Sequence, residues 1–410
     1  MTVDLVRESA LAGQVVLWEE SARDGAQAKT LMSADFRVWL AREHGRVFGA
    51  RGPRHVVFAA GFPAVCAEEY RAVRRVALEA GESVSVAAVC RGLPDDLRQA
   101  YAAVRDGAHS RVLAVLPASD PMARVMVHQD ARTALRAAAD LVREARGWDE
   151  AVALDVCLAD ASRADRGLLA HAAVELTAAG ASTVLLADTV GVLLPEPAGA
   201  LFAEVGQRVA GEGVVLGAHL HNDLGLGLAN TLAALDAGVR VAAGSWLGLA
   251  ERAGMAATEQ LLFLLTRHWP ELLGAPPWSS DPQLTRLPLL ARLVAEHTGA
   301  PFGVTTPIVG TGVGSISTGT PFVAPELFQP FDPGAVLGIE PSVVLTQLAN
   351  TRVVAAVAGR LGHRLTDAQT RAATAWVKSR AFRTGRAVVD EAAFAGYLEG
   401  LTAPIEERVR

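Results

Sequence analysis

Eight short runs rich in Val, Ala and Leu recur along the chain, each followed by a longer segment of helical period. No other feature restricts the fold as much. The runs are VVLWE (15–19), HVVFAAG (55–61), SVSVAAV (83–89), RVLAVLP (111–117), AVALDVCL (151–158), TVLLAD (183–188), VVLGAHL (214–220) and VRVAAG (239–244). They are near-continuously apolar, which is what burial on both faces of a parallel sheet demands. Eight βα units in roughly 250 residues is the count of a (β/α)8 TIM barrel, the expected α/β fold, with an open doubly wound sheet as the rival. The pattern breaks at GAPPWSSDP (274–282), where Pro and Gly cluster. The expected domains are therefore a barrel over 1–274 and a smaller, mainly helical C-terminal region over 275–410, with helical segments at 342–360 and 366–382. The Gly-rich stretch GTGVGSISTGTPF (310–322) does not follow G-x-G-x-x-G and is read as a mobile loop, not a dinucleotide site.

Composition removes several functional classes. At 410 residues, 51% hydrophobic and with a formal charge of −6, the chain has a globular balance and no basic stripe for nucleic acid. The N-terminal stretch MTVDLVRESALAG lacks a basic segment followed by an apolar one, and no apolar run reaches membrane-spanning length. The expectation is a cytoplasmic protein. Three cysteines, Cys66, Cys90 and Cys157, have no paired spacing and read as reduced, mostly buried thiols.

In such a barrel the chemistry gathers at the C-terminal strand ends. Polar residues cluster there: Arg23 and Asp24 after the first run, Arg91 after the third, Ser119 after the fourth, Asp188 and Thr189 after the sixth, and His219 and His221 at the end of the seventh. The two histidines stand one residue apart in GAHLHNDLG (217–225), so strand alternation puts both imidazoles on one face. Asp24, His219 and His221 make an N2O donor set suited to a divalent ion such as Zn²⁺, Mn²⁺, Co²⁺ or Mg²⁺, with open positions for substrate. A pair of histidines can also be structural, which makes its position at a strand end the stronger signal. Arg23 suits a carboxylate or an enolate oxygen, or else an ion pair closing the barrel. Thr189 can donate to substrate or form a local turn bond. The only barrel lysine, Lys29, lies in a loop, which argues against a Schiff-base aldolase.

RDGAQ (23–27), GFPAV (61–65), DASRAD (160–165), ADTVG (187–191), HLHNDLGLGLANTLAALDAG (219–238) and ERAGMAATE (251–259) together resemble the metal-dependent isopropylmalate synthase, homocitrate synthase and hydroxymethylglutaryl-CoA lyase superfamily, the DRE-TIM metallolyases. The length beyond the barrel resembles the synthase branch. The resemblance implies a Claisen-type condensation of an acyl-CoA, acetyl-CoA foremost, with a 2-oxo acid. It implies Asp24, His219 and His221 as metal ligands, Arg23 and Asp24 as catalytic residues, and Arg23, Gln27, Arg91, Ser119 and Thr189 at substrate. It also implies a homodimer.

The chain departs from the family at four places. Ala59 and Ala159 stand where the family has Glu, Met255 where it has Asn, and Ser317 near an expected His. Three readings follow. An acceptor with an extra carboxylate or phosphonate fills the vacated space, proton transfer has moved to Glu20, His297 or Ser317, or catalysis is lost and the barrel only binds. A carbon–carbon lyase or aldolase of the same superfamily is the alternative within enzymes.

Overall fold

The structure, a computed structural model, describes residues 3–402. Eight parallel strands close into a barrel in chain order: β1 Val16–Glu19, β2 Val56–Gly61, β3 Ser85–Arg91, β4 Ser110–Pro117, β5 Ala153–Ala159, β6 Val184–Asp188, β7 Leu216–Leu220 and β8 Val241–Gly244. Leu17 of β1 pairs with Val56 on one side and Ala242 on the other, so the ring has no free edge. Helices such as Ala34–Phe48, Ala67–Ala80 and Ala131–Arg146 follow the strands and cover the outside. Burial on both faces, inferred from the apolar runs, is therefore satisfied by side chains within and helices without.

Alternation decides which residues fill the barrel. Val16 and Trp18, Val57 and Ala59, Ala87 and Val89, Leu185 and Ala187, and Val241 and Ala243 lie two apart on their strands and share one buried cluster. Val6 and Ala10 of the helix Leu5–Leu11 join the same cluster. Asp4 caps that helix by accepting from Arg7 N–H, and also meets Arg111 Nη1 at 2.6 Å. Arg111 in turn forks onto Asp155 at 2.9 and 2.7 Å, both groups being buried. That ionic plug at the strand starts ties β4, β5 and the N-terminal helix together.

The chain divides into two units at Phe302/Gly303, later than the boundary at 274/275 read from the sequence. The Pro- and Gly-rich stretch is a strap on the first unit, because the Trp278 ring lies edge-on to Phe48 and His55. Gln283 N–H also donates to the Val47 carbonyl at 2.8 Å. The following helix, Leu287–Thr298, buries Leu287, Leu290, Ala291 and Val294 and packs on the turn Trp246–Gly248. The second unit joins Thr351–Arg360, Asp367–Thr384 and Glu391–Thr402 around Val353, Val377 and Phe394. It also holds a two-stranded parallel ribbon, β9 Ser315–Ile316 with β10 Ser342–Val343. Among the described residues no helix is long and apolar enough to cross a membrane.

Candidate metal centre

β1 ends in a tight turn that aims one carboxylate across the barrel mouth. The Glu20 carbonyl accepts from Arg23, Asp24 and Gly25 N–H at 3.0, 2.8 and 3.1 Å, which starts the short helix Asp24–Gln27. Asp24 is 1% exposed. Its Oδ1 accepts from Glu251 N–H at 3.0 Å and its Oδ2 from Arg23 Nη1 at 2.9 Å. Across the mouth, β7 presents His219 beside Ala187 of β6, and His221 follows in an isolated bridge to Met255. As alternation requires, both rings sit on one side.

Asp24 Oδ2 is 3.2 Å from His219 Nε2 and 3.8 Å from His221 Nε2. One donor atom from each of the three residues lies within 4.8 Å of the others. A carboxylate oxygen and two imidazole nitrogens so close repel through their lone pairs unless a proton or a cation stands among them. The donor set therefore fits a divalent ion with N2O ligation. Burial alone would raise Asp24, but the His219 hydrogen bond and the Arg23 charge hold its carboxyl well below the ordinary range. Burial and the neighbouring His219 bring His221 down to about 4, so its lone pair is available at neutral pH. Arg23 stays charged because Glu20 and Asp24 outweigh its burial. Burial raises Glu20, whose carboxylate lies 3.6 Å from His219 Nδ1.

The remaining expected residues have places and partners of their own. Gln27 is exposed at the end of its short helix. Arg91 forks onto Asp96 at 2.6 and 3.0 Å and keeps its side chain 57% exposed. Ser119 Oγ donates to Asp160 and accepts from Met122 N–H, capping the helix Asp120–Met126. Thr189 Oγ1 accepts from Asp160 N–H at 2.8 Å, a bond between neighbouring loops rather than a turn within its own. His297 stacks on Phe36 with ring centroids 3.9 Å apart and accepts from Ser33 N–H. Ser317 lines a cavity of 430 Å³ within the second unit.

Two groups escaped sequence reasoning. Asp160, with φ +63°, is buried and holds Ser119, Arg163 and Thr189 together. Arg252 forks onto Asp223 at 2.8 and 3.0 Å and donates to the Thr189 carbonyl at 2.6 Å, tying the loops after β6, β7 and β8. Both lay inside the quoted motifs; the available signal was a charged residue beside Gly or Ala at a strand end. Ala59, Cys157 and Met255 are buried in one apolar cluster, with Phe62 and Val115 packed on it.

The HMGL-like family profile matches residues 15–294, the barrel and the helix that follows it. The chain belongs to the HMGL-like family. It is 32% identical over 256 residues to the 2-isopropylmalate synthase of Nitratidesulfovibrio vulgaris (strain DSM 19637 / Miyazaki F), covering 62% of this chain and 48% of that one. With the 2-isopropylmalate synthase of Neisseria gonorrhoeae (strain ATCC 700825 / FA 1090) it shares 30% over 315 residues, 76% of this chain and 50% of the other. The chain thus spans about half the length of these curated relatives. Among solved structures, the HMG-CoA lyase of Bacillus subtilis has a TM-score of 0.56 at 19% identity, covering 70% of this chain and 95% of that one. The carboxyl transferase domain of Rhizobium etli pyruvate carboxylase gives 0.51 at 16% identity, over 71% and 48% of the two chains. Both are likenesses of fold. The HMGL-like barrel thus carries the Asp24, His219 and His221 cluster at its mouth.

Proposed function

We propose that this chain is a metal-dependent enzyme that condenses an acyl-CoA thioester, acetyl-CoA foremost, with a 2-oxo acid in a Claisen-type reaction. The convergence of Asp24 Oδ2 with the Nε2 atoms of His219 and His221 carries the reading. A divalent cation held there, Zn²⁺, Mn²⁺, Co²⁺ or Mg²⁺, supplies Lewis acidity towards a chelating 2-oxo acid. The side chains do the rest. Asp24, anchored by Glu251 N–H, keeps its second oxygen on the centre. Arg23 holds a guanidinium beside that oxygen, a positive contact for the charge that would develop on the ketone oxygen when the carbanion formed by loss of a proton next to the thioester carbonyl attacks it. Arg252 and Asp160 fix the surrounding loops so that this geometry is set in advance.

Gln27 and Arg91, exposed at strand-end loops, are proposed to contact substrate, with Ser119 and Thr189 shaping the adjoining loops. The apolar cluster of Ala59, Cys157, Met255, Phe62 and Val115 offers no cation or strong hydrogen-bond donor side chain to an added carboxylate or phosphonate, which favours an aliphatic acceptor substituent. A homodimer belongs to the proposal through the family resemblance alone. Retro-Claisen cleavage is the second reading, favoured by the fold likeness to HMG-CoA lyase.

The test is release of free CoA thiol from acetyl-CoA with Mn²⁺ or Zn²⁺ and a panel of aliphatic, dicarboxylic and phosphonate-bearing 2-oxo acids. Release with an aliphatic acceptor, abolished in Asp24→Ala, is expected. No release from any acceptor, together with cleavage of a 3-hydroxy-3-carboxy acid or its thioester without added CoA, moves the assignment to the lyase reaction. Tight metal binding with neither turnover leaves a binding module.

A further inference from the structure

His219 has two ring nitrogens, and only Nε2 faces Asp24. Its Nδ1 is buried with no hydrogen-bond partner. The nearest charged group on that side is Glu20, whose Oε1 lies 3.6 Å away. Glu20 is 0% exposed and neither of its oxygens has a hydrogen-bond partner. A buried donor or acceptor is seldom left unpaired, and here two such groups stand face to face. Trp18, two residues earlier on the same side of β1, carries an indole N–H that is also unpaired. The other charged groups acting on Glu20 are Arg23 and Asp24.

An imidazole ligates a metal through one nitrogen only when its proton sits on the other, and the partner of that other nitrogen sets which tautomer forms. Closing the Glu20–His219 gap to a hydrogen bond takes about 0.5 Å, within reach of a small ring rotation. Glu20 has no hydrogen bond of its own to give up, and its other neighbours are the Arg23 charge and the Trp18 indole N–H.

We infer that Glu20 is a positioning residue for the centre: its carboxylate accepts the Nδ1–H of His219, which leaves Nε2 with a lone pair aimed at the point shared with Asp24 and His221. This rests on the metal-centre reading above. The role belongs to the turn that continues β1, because Glu20 follows its last residue and is the next inward position after Trp18, nearer the mouth. Glu20 touches His219 and not the reacting atoms, so it acts through the ligand.

The test combines two readouts on the full chain. Long-range ¹H–¹⁵N spectra of the histidines in the Zn²⁺-loaded chain, assigned with single-histidine variants, report the His219 Nδ1–H and its hydrogen bonding, and competition with a chelating dye reports Zn²⁺ affinity. In the wild type, that proton is expected well downfield of a free imidazole N–H, as a bond to a carboxylate requires. Glu20→Ala should lose the downfield shift and weaken Zn²⁺ binding by about 10- to 100-fold. Glu20→Gln, which keeps an acceptor oxygen, should restore most of the affinity. A wild-type Nδ1–H without the downfield shift, or a Glu20→Ala variant with unchanged shift and affinity, overturns the inference. If Glu20→Ala does not fold, the wild-type and Glu20→Gln spectra still decide it. Asp24→Ala with intact Zn²⁺ affinity overturns the metal-centre reading, whereas intact affinity in Glu20→Ala beside a defective Asp24→Ala overturns the positioning role alone.

Discussion

His44 shows how burial fixes a proton. Its Nδ1–H donates to the Leu40 carbonyl at 3.0 Å, and its Nε2 accepts from the Trp246 indole at 2.9 Å, inside the protein at 0% exposure. A second proton would set Nε2–H against the indole N–H. Burial accordingly lowers the group to about 4. Because the folded chain resists protonation more than the unfolded chain does, the His44 contribution is complete above the ordinary histidine range and is lost as pH falls towards 4. Relative to His44→Gln, which shares every other titrating group, the wild type should lose about 2 kcal/mol of advantage between pH 7 and pH 5. Urea denaturation of the two proteins checks this, and a constant difference would contradict it. None of this was legible in the sequence, where His44 is one helical residue among many. His219 and His221 were legible because their spacing matches a strand and their place is a strand end.

At the scale of elements, the loop after β2 is held by a buried clamp. Arg37 donates to the Met32 and Ala60 carbonyls and forks onto Glu69 at 2.8 and 2.9 Å. Glu69 also accepts from Phe62 N–H, so the G-F-P turn is fixed from both sides. Gly61, at φ +149°, fits beneath: a Cβ there would stand 2.0 Å from Glu69 Oε1. Glu69→Ala leaves the Arg37 guanidinium, 2% exposed, without its carboxylate and should cost about 3–5 kcal/mol in urea denaturation. A loss under about 1 kcal/mol would place the pair among exposed bridges. The eight strands could be read in advance because apolar runs and barrel burial demand the same residues. Such clamps could not, since Arg37 and Glu69 look like ordinary surface positions on two helices until the helices pack.

For the molecule as a whole, the barrel and the motif order were legible, while the division of the chain was not. Pro and Gly at 274–282 have a linker's composition, yet Trp278 and the helix Leu287–Thr298 bury apolar surface on the first unit. A fragment ending at Phe302 should keep one cooperative thermal transition. One ending at Gly274 loses the burial of Trp278, Leu287, Leu290 and Val294, each worth roughly 2 kcal/mol, and should melt lower or fail to fold. Equal melting of the two fragments would show that the strap adds nothing to the barrel. The same scale carries the central claim, because Asp24 and the two histidines come from opposite ends of the barrel's chain order and meet only when β8 closes on β1.

Elemental analysis of the protein purified after loading with Zn²⁺ or Mn²⁺ tests that claim most directly. One ion per chain is expected in the wild type and close to none in Asp24→Ala, His219→Ala and His221→Ala, each folded by circular dichroism. Full stoichiometry in all three variants, or none in the wild type, would contradict it.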